Sequence, residues 1–192
     1  MTKGIYLPAD ESAPLEVRDF ADFTDYQTVV GGIFDSVDLP DLTATVYVND
    51  EGLVIGLPMN PRATYLWWLC VPAARDREFL VGNAVIIGMP DEEGNDTNIP
   101  DDLLHALTFD GQFRVEVTLL GDPKWYTNVA LYPTYWDAVV WAAMLRERWV
   151  EVEQIRVVTH EPEHPDQPSD DDPVEDDELD DENNNAQADN PT

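Results

Sequence analysis

The sequence predicts an α+β fold: a mainly antiparallel sheet with two or three helices packed on it, plus a disordered acidic C-terminal tail. Three observations carry this. The segments run strand, helix, several strands, then strand–strand–helix–strand, an order that favours an antiparallel sheet over regular βα alternation. Phe113, Val115, Val117 and Leu119 alternate with Arg114, Glu116 and Thr118, the pattern of a strand with one wet face. His160 to Thr192 carries 14 acids and neither Lys nor Arg, with only Val174 and Leu179 as sizeable apolar residues. Such a segment cannot bury enough surface to offset the entropy of ordering.

The elements follow in chain order. Gly4 to Leu7 reads as a short strand and Leu15 to Val17 as a second. Phe20, Phe23, Tyr26 and Val30 recur at steps of three and four, one face of a helix. Asp19 is placed to cap its start, and Gly31-Gly32 to end it. Ile33 to Leu39 alternates as a strand, and Thr43 to Val48 is a second, rich in β-branched and aromatic residues. Asn49, Asp50, Glu51 and Gly52 form a turn signal, after which Leu53 to Gly56 resumes as the second arm of a hairpin.

Pro58 to Thr64 is irregular or opens a short helix, and Tyr65 to Cys70 is apolar without a decisive period. Ala84 to Ile87 is a strand, Asp91 to Pro100 an acidic loop, and Pro100-Asp101-Asp102 opens a short helix through Leu107. Beyond the strand at Phe113 to Leu120, Gly121-Asp122-Pro123 turns the chain and Asn128 to Tyr132 is a further strand. Thr134 and Asp137 have capping-box spacing and open a helix to about Arg148. Val139, Val140, Ala143 and Met144 form one of its stripes, with Trp141 and Leu145 forming another, so it packs on more than one side. Glu151 to Thr159 is the last strand. The organisation is therefore a first unit at 1–108, a ββαβ unit at 109–159 packed on it, and the tail at 160–192.

The net charge is −30, from 40 acids against 10 bases. The tail holds −14 of it and the preceding body −16. This balance excludes direct nucleic-acid binding and anionic membrane surfaces. One cysteine, Cys70, excludes a disulfide-stapled domain. No apolar run reaches the roughly 18 residues of a membrane span. The expected location is the cytoplasm of a bacterial host.

Val29 to Gly88 carries a further signal. VVGGIFDSV, then VYVNDEGLVIGLPMN, then FLVGNAVIIG resembles the domain-of-unknown-function family 3846 over about residues 1–107. The most specific elements are Gly31-Gly32, the Asn49-to-Gly52 turn, and Gly56-Leu57-Pro58 followed by Asn60. Two departures stand out: Pro61 intervenes between Asn60 and Arg62, and YLWWLCVPAARDRE has no counterpart in the pattern. The family has no assigned activity. The resemblance implies a setting on phages, plasmids and other mobile elements.

Few constellations carry chemistry. His160-Glu161-Pro162-Glu163-His164 spells a zinc-protease motif, but Pro162 breaks the helix that the motif needs. No catalytic residue, metal ligand or cofactor site is assigned. Asn60 and Arg62 are candidate binding residues, since Arg62 suits a carboxylate or phosphate; the competing reading is a local loop brace. Trp67 and Trp68 are candidates too: on a strand they point to opposite faces, and an exposed Trp suits a partner surface. Asn49, Asp50, Glu51 and Gly52 are assigned to turn structure. Cys70 lies between Leu69 and Val71 and reads as a small buried apolar residue.

The leading functional expectation is a nonenzymatic accessory protein of a phage or mobile element that binds and modulates a host protein, one of basic or DNA-binding character. The alternatives are an acidic DNA mimic of antirestriction type, and a protein that binds a small ligand or nucleotide near Asn60 and Arg62.

Overall fold

The computed structural model describes residues 1–161, so all of the predicted tail but His160 and Glu161 lies outside the described residues. The first sheet is built from β1 (Thr2–Leu7), β2 (Glu16–Phe20), β3 (Phe34–Leu39), β4 (Ala44–Asn49) and β5 (Ala84–Gly88). Its spatial order is β2-β1-β5-β4-β3, every pair antiparallel. The second sheet holds β6 (Gln112–Leu119), β7 (Asp122–Thr127) and β8 (Val152–His160), in the antiparallel order β7-β6-β8. Four helices complete the described residues: α1 (Phe23–Val30), α2 (Pro61–Cys70), α3 (Asp101–Thr108) and α4 (Tyr135–Arg148). The α+β class is as predicted. The single sheet is in fact two, and the helices number four rather than two or three.

The alternation of β4 and β5 explains the layering. Val46 and Ile86 point to one face, Tyr47, Val85 and Ile87 to the other. On the second face α1 seals a small aromatic cluster of Phe20, Tyr26 and Tyr47. On the first, Ile5, Leu7, Val46 and Ile86 join one continuous core with Leu66 of α2, Val139 of α4 and Phe113, Val115 and Val117 of β6. α2 and α4 pack on each other, α4 also lying against β6 and β8, so the broad apolar surface predicted for that helix is used on more than one side. Both sheets thus share one core, and Met1–Glu161 is one compact unit.

Three local expectations are corrected, and one segment left open, Tyr65 to Cys70, is resolved. The cap of α1 is Asp22, whose carboxylate accepts from the Thr24 N–H at 2.8 Å, while Asp19 sits on β2 opposite Lys3. Leu53 to Gly56 is not a strand. β4 lies between β3 and β5, so neither of its edges is open to Leu53–Gly56. That segment coils instead, the Ile55 N–H donating to the Glu51 carbonyl and the Leu57 N–H to the Gly52 carbonyl, each at 2.9 Å. The hairpin of β4 is with β3, through a 3-10 turn at Pro40–Leu42. Tyr65 to Cys70 is helical. The strand expected at Asn128 to Tyr132 is displaced: β7 begins at Asp122, directly after Gly121 turns with φ 78°, leaving only a single bridge between Tyr132 and Phe113.

Candidate functional site

Asn60 is fully buried and caps α2. Its side-chain oxygen accepts from the Ala63 N–H at 3.1 Å. Its amide donates to the Leu7 carbonyl at 3.0 Å and the Gly82 carbonyl at 2.9 Å. One side chain therefore ties the start of α2 to β1 and to the approach to β5, with no face left for a ligand. Pro61 fits here because the first helical position has no N–H partner to lose. Arg62 is engaged by backbone groups too. Its guanidinium donates to the Ala13 carbonyl at 2.9 Å and to the Glu11 carbonyl, and it lies 5.9 Å from the Trp136 ring centroid. It pins the β1–β2 loop rather than standing open to an anion. The two residues do not converge on a shared pocket.

Trp67 and Trp68 lie on one helix, about 100° apart, not on the opposite faces of a strand. Both are half-buried. The Trp68 indole donates to the Glu78 carbonyl at 2.8 Å and its ring meets Tyr65 edge-on, so it anchors the segment after α2. Trp67 packs against the main core and lines a groove of about 500 Å³.

The turn residues sit beside that groove. Asn49 is buried; its amide donates to the Val30 carbonyl at 3.2 Å and its oxygen accepts from the Glu51 N–H at 2.9 Å. The Gly52 N–H closes the turn on the Asn49 carbonyl at 3.2 Å. Gly31 ends α1 with φ 82°, a conformation glycine adopts without strain. A Cβ on Gly32 would stand 2.8 Å from the Asn49 amide nitrogen. The sequence elements Gly31-Gly32, Asn49-to-Gly52 and Asn60 are thus bracing contacts.

The groove has a feature that sequence reading missed. Its apolar lining includes Trp67, Leu53 and Phe79, with Asp35, Asp50 and Arg77 among its charged residues. Leu53, Val54 and Ile55 stand next to each other with 64%, 87% and 56% of their surface exposed. Phe79 and Ile33 are exposed as well, and the Asp50 N–H donates to the Ile33 carbonyl at 3.1 Å, which brings Ile33 beside the turn. The result is an apolar ridge along an apolar groove, with carboxylates nearby. The missed signal was topological: a three-residue aliphatic run between Gly52 and Gly56 looks like a strand until both edges of β4 are known to be taken.

Other reactive groups are withdrawn. Burial pushes the Cys70 thiol up to about 12, far from a thiolate at neutral pH. His160 ends β8 in extended backbone, and its Nδ1 accepts from Arg114 Nε at 3.1 Å; Glu163 and His164 lie outside the described residues. Among the described residues no group of three or more His, Cys, Asp or Glu is placed to hold a metal ion, and no helix is long and apolar enough to cross a membrane.

No curated protein and no solved structure matches this chain. Residues 1–113 match the family described as Domain of unknown function (DUF3846). That span runs from β1 through α3 to the start of β6 and includes the Gly31, Asn49 and Asn60 braces. With more than half its length inside the match, the chain belongs to that family.

Proposed function

We propose that this protein is a nonenzymatic accessory protein that binds and modulates another protein through the Trp67 groove and the Leu53–Ile55 ridge. The observation that carries the reading is the ridge itself. Three adjacent aliphatic side chains remain largely exposed beside an apolar groove, in a chain of net charge −30. Contiguous exposed apolar surface with a polar border is the usual mark of a protein contact, and a half-buried Trp is a common energetic centre of one. The setting we infer is the cytoplasm of a bacterium that carries a phage or other mobile element, with a host protein as partner.

The test is affinity capture from bacterial lysate with the full chain and three variants. Leu53→Ser combined with Val54→Ser removes the ridge at exposed positions, so folding is spared. Trp67→Ala opens the groove, with a melting curve to separate binding from stability. Val129→Ser, fully exposed elsewhere, is the control. A partner lost with the ridge variant and kept with the control is expected. A partner retained by both discards this face.

A second reading, acidic mimicry of DNA, is favoured by one observation. The Asp91 carboxylate accepts from the Glu93 and Asn95 N–H groups at 3.1 and 2.7 Å, and the Tyr47 hydroxyl donates to Asp96 at 2.7 Å. These bonds fix two exposed acids of that loop, Asp91 and Asp96, and a copy of a rigid duplex needs acids held in this way. On this reading duplex DNA displaces the chain from its partner, and rising salt weakens the complex steeply.

A further inference from the structure

β8 is an edge strand, and among the described residues nothing pairs with its outer side. The register identifies which groups face outward. Phe113 exchanges both backbone bonds with Tyr132, on the side of β6 away from β8. In an antiparallel ladder the residue opposite it, Thr159, must then direct its own N–H and C=O away from β6. The register is unbroken from Gln112 to Thr118, so Val157 (opposite Val115) and Ile155 (opposite Val117) do the same. The Thr127 hydroxyl donating to the Val115 carbonyl, and the Gln154 N–H donating to the Thr118 hydroxyl, fit this alternation. Three residues therefore present six backbone groups in a row that have no partner among the described residues.

The other edges are blunted in the ways that sheets usually protect themselves. β7 starts Asp-Pro-Lys, β2 has five residues, three of them charged, and β3 carries two aspartates. β8 has nine residues, contains neither Gly nor Pro, and runs Ile-Arg-Val-Val-Thr through its middle. A cavity of about 670 Å³ runs along it, with Leu42 of the 3-10 turn and Leu103 and Ala106 of α3 in its lining.

We infer that the outer edge of β8 is a strand-addition site for an extended, basic segment of a partner protein. The backbone groups of Ile155, Val157 and Thr159 supply the ladder, and the apolar lining takes alternate side chains of the guest. Charge selects the guest. Of the charged lining residues, Asp41 is paired with Arg146 and Arg156 with Glu116, whereas Asp102 and Glu153 form no salt bridge among the described residues. Directly beyond β8 the sequence continues into the acidic tail, which adds long-range attraction for a cationic segment. The same charge disfavours two other occupants. A second copy brings another −30, and the chain's own tail brings acids together with Pro162, Pro165, Pro168 and Pro173, each lacking a ladder donor.

The test uses the full chain and synthetic nonapeptides that alternate valine with lysine or valine with glutamate. Backbone amide exchange is followed by NMR with and without peptide. In the free chain the amides of Ile155, Val157 and Thr159 should exchange faster than those of Arg156 and Val158. The lysine peptide should slow those three, bind on the order of tenfold tighter than the glutamate peptide, and weaken with salt. Methylating the peptide nitrogens on one set of alternate residues should abolish binding, and on the other set should not. Slow exchange of the three amides in the free chain would assign the edge to the tail or to a second copy, and sedimentation tells these apart; either overturns the inference. So does equal binding of the glutamate peptide, or binding that leaves the three amides unprotected. This site is separate from the Trp67 groove, so loss of either leaves the other standing.

Discussion

Asn60 makes three hydrogen bonds from a side chain with no exposed surface. Replacing it with Ala removes a helix cap and orphans two buried carbonyls. A loss of about 2–4 kcal/mol is expected, read from urea unfolding; a loss below about 0.5 kcal/mol would show that those groups find other partners. From the sequence, Asn60 could be read as a binder or as a brace, because Gly-Leu-Pro-x-Asn specifies a cap as readily as a contact. What decides it is Leu7, 53 positions away, which no local reading reaches. The buried hydroxyls make a pH prediction. Burial raises the Tyr26 pKa from 10.0 to about 12, and burial with the Asp96 hydrogen bond raises that of Tyr47. A group with a raised folded pKa stabilises fully below its unfolded value, and that contribution is lost as the pH climbs through the folded one. Stability should therefore fall from about pH 10 upward. Tyr47→Phe should flatten that fall in alkaline melting curves, because the phenol that resists ionisation is gone; an unchanged slope would assign the effect to other groups.

At the scale of elements, local chemistry was the most legible. Thr134 caps α4 as its spacing predicts, its hydroxyl accepting from the Asp137 N–H at 3.1 Å and donating to the Asp137 carboxylate at 2.6 Å. Thr134→Ala should cost about 1 kcal/mol and leave the fold intact, checked by melting temperature and circular dichroism. β3, β4, β5 and β6 fall within a residue or so of their predicted spans, since alternation and β-branched composition act over a few neighbours. The errors arise where distant pairing decides. Leu53–Gly56 has strand composition but no available edge. Trp67 and Trp68 sit in a short apolar run that fits either period, and the turn that starts α2 depends on the buried Asn60 cap. The outer edge of β8 was invisible for the same reason: the sequence shows a strand, and only the sheet order shows that no described strand pairs with its other side.

The whole molecule sets net charge −30 against a core shared by two sheets. Self-repulsion on this scale destabilises the compact state and is screened by salt, so the melting temperature should rise as sodium chloride is added. A melting temperature that falls with salt would mean that ion pairs, four of them among the described residues, outweigh the repulsion. Composition made this charge legible at once, together with its division between body and tail. It could not place the proposed partner face, because the Leu53–Ile55 ridge is what remains when both edges of β4 are filled. The most direct test is site-specific photo-crosslinking in bacterial cells, with a benzophenone amino acid at Val54 or, as control, at Val129; both positions are exposed. An adduct with one defined protein at Val54, absent at Val129 and lost on Trp67→Ala, is the expected result. Equal adducts at both positions, or none at Val54, would contradict a partner surface at the Trp67 groove.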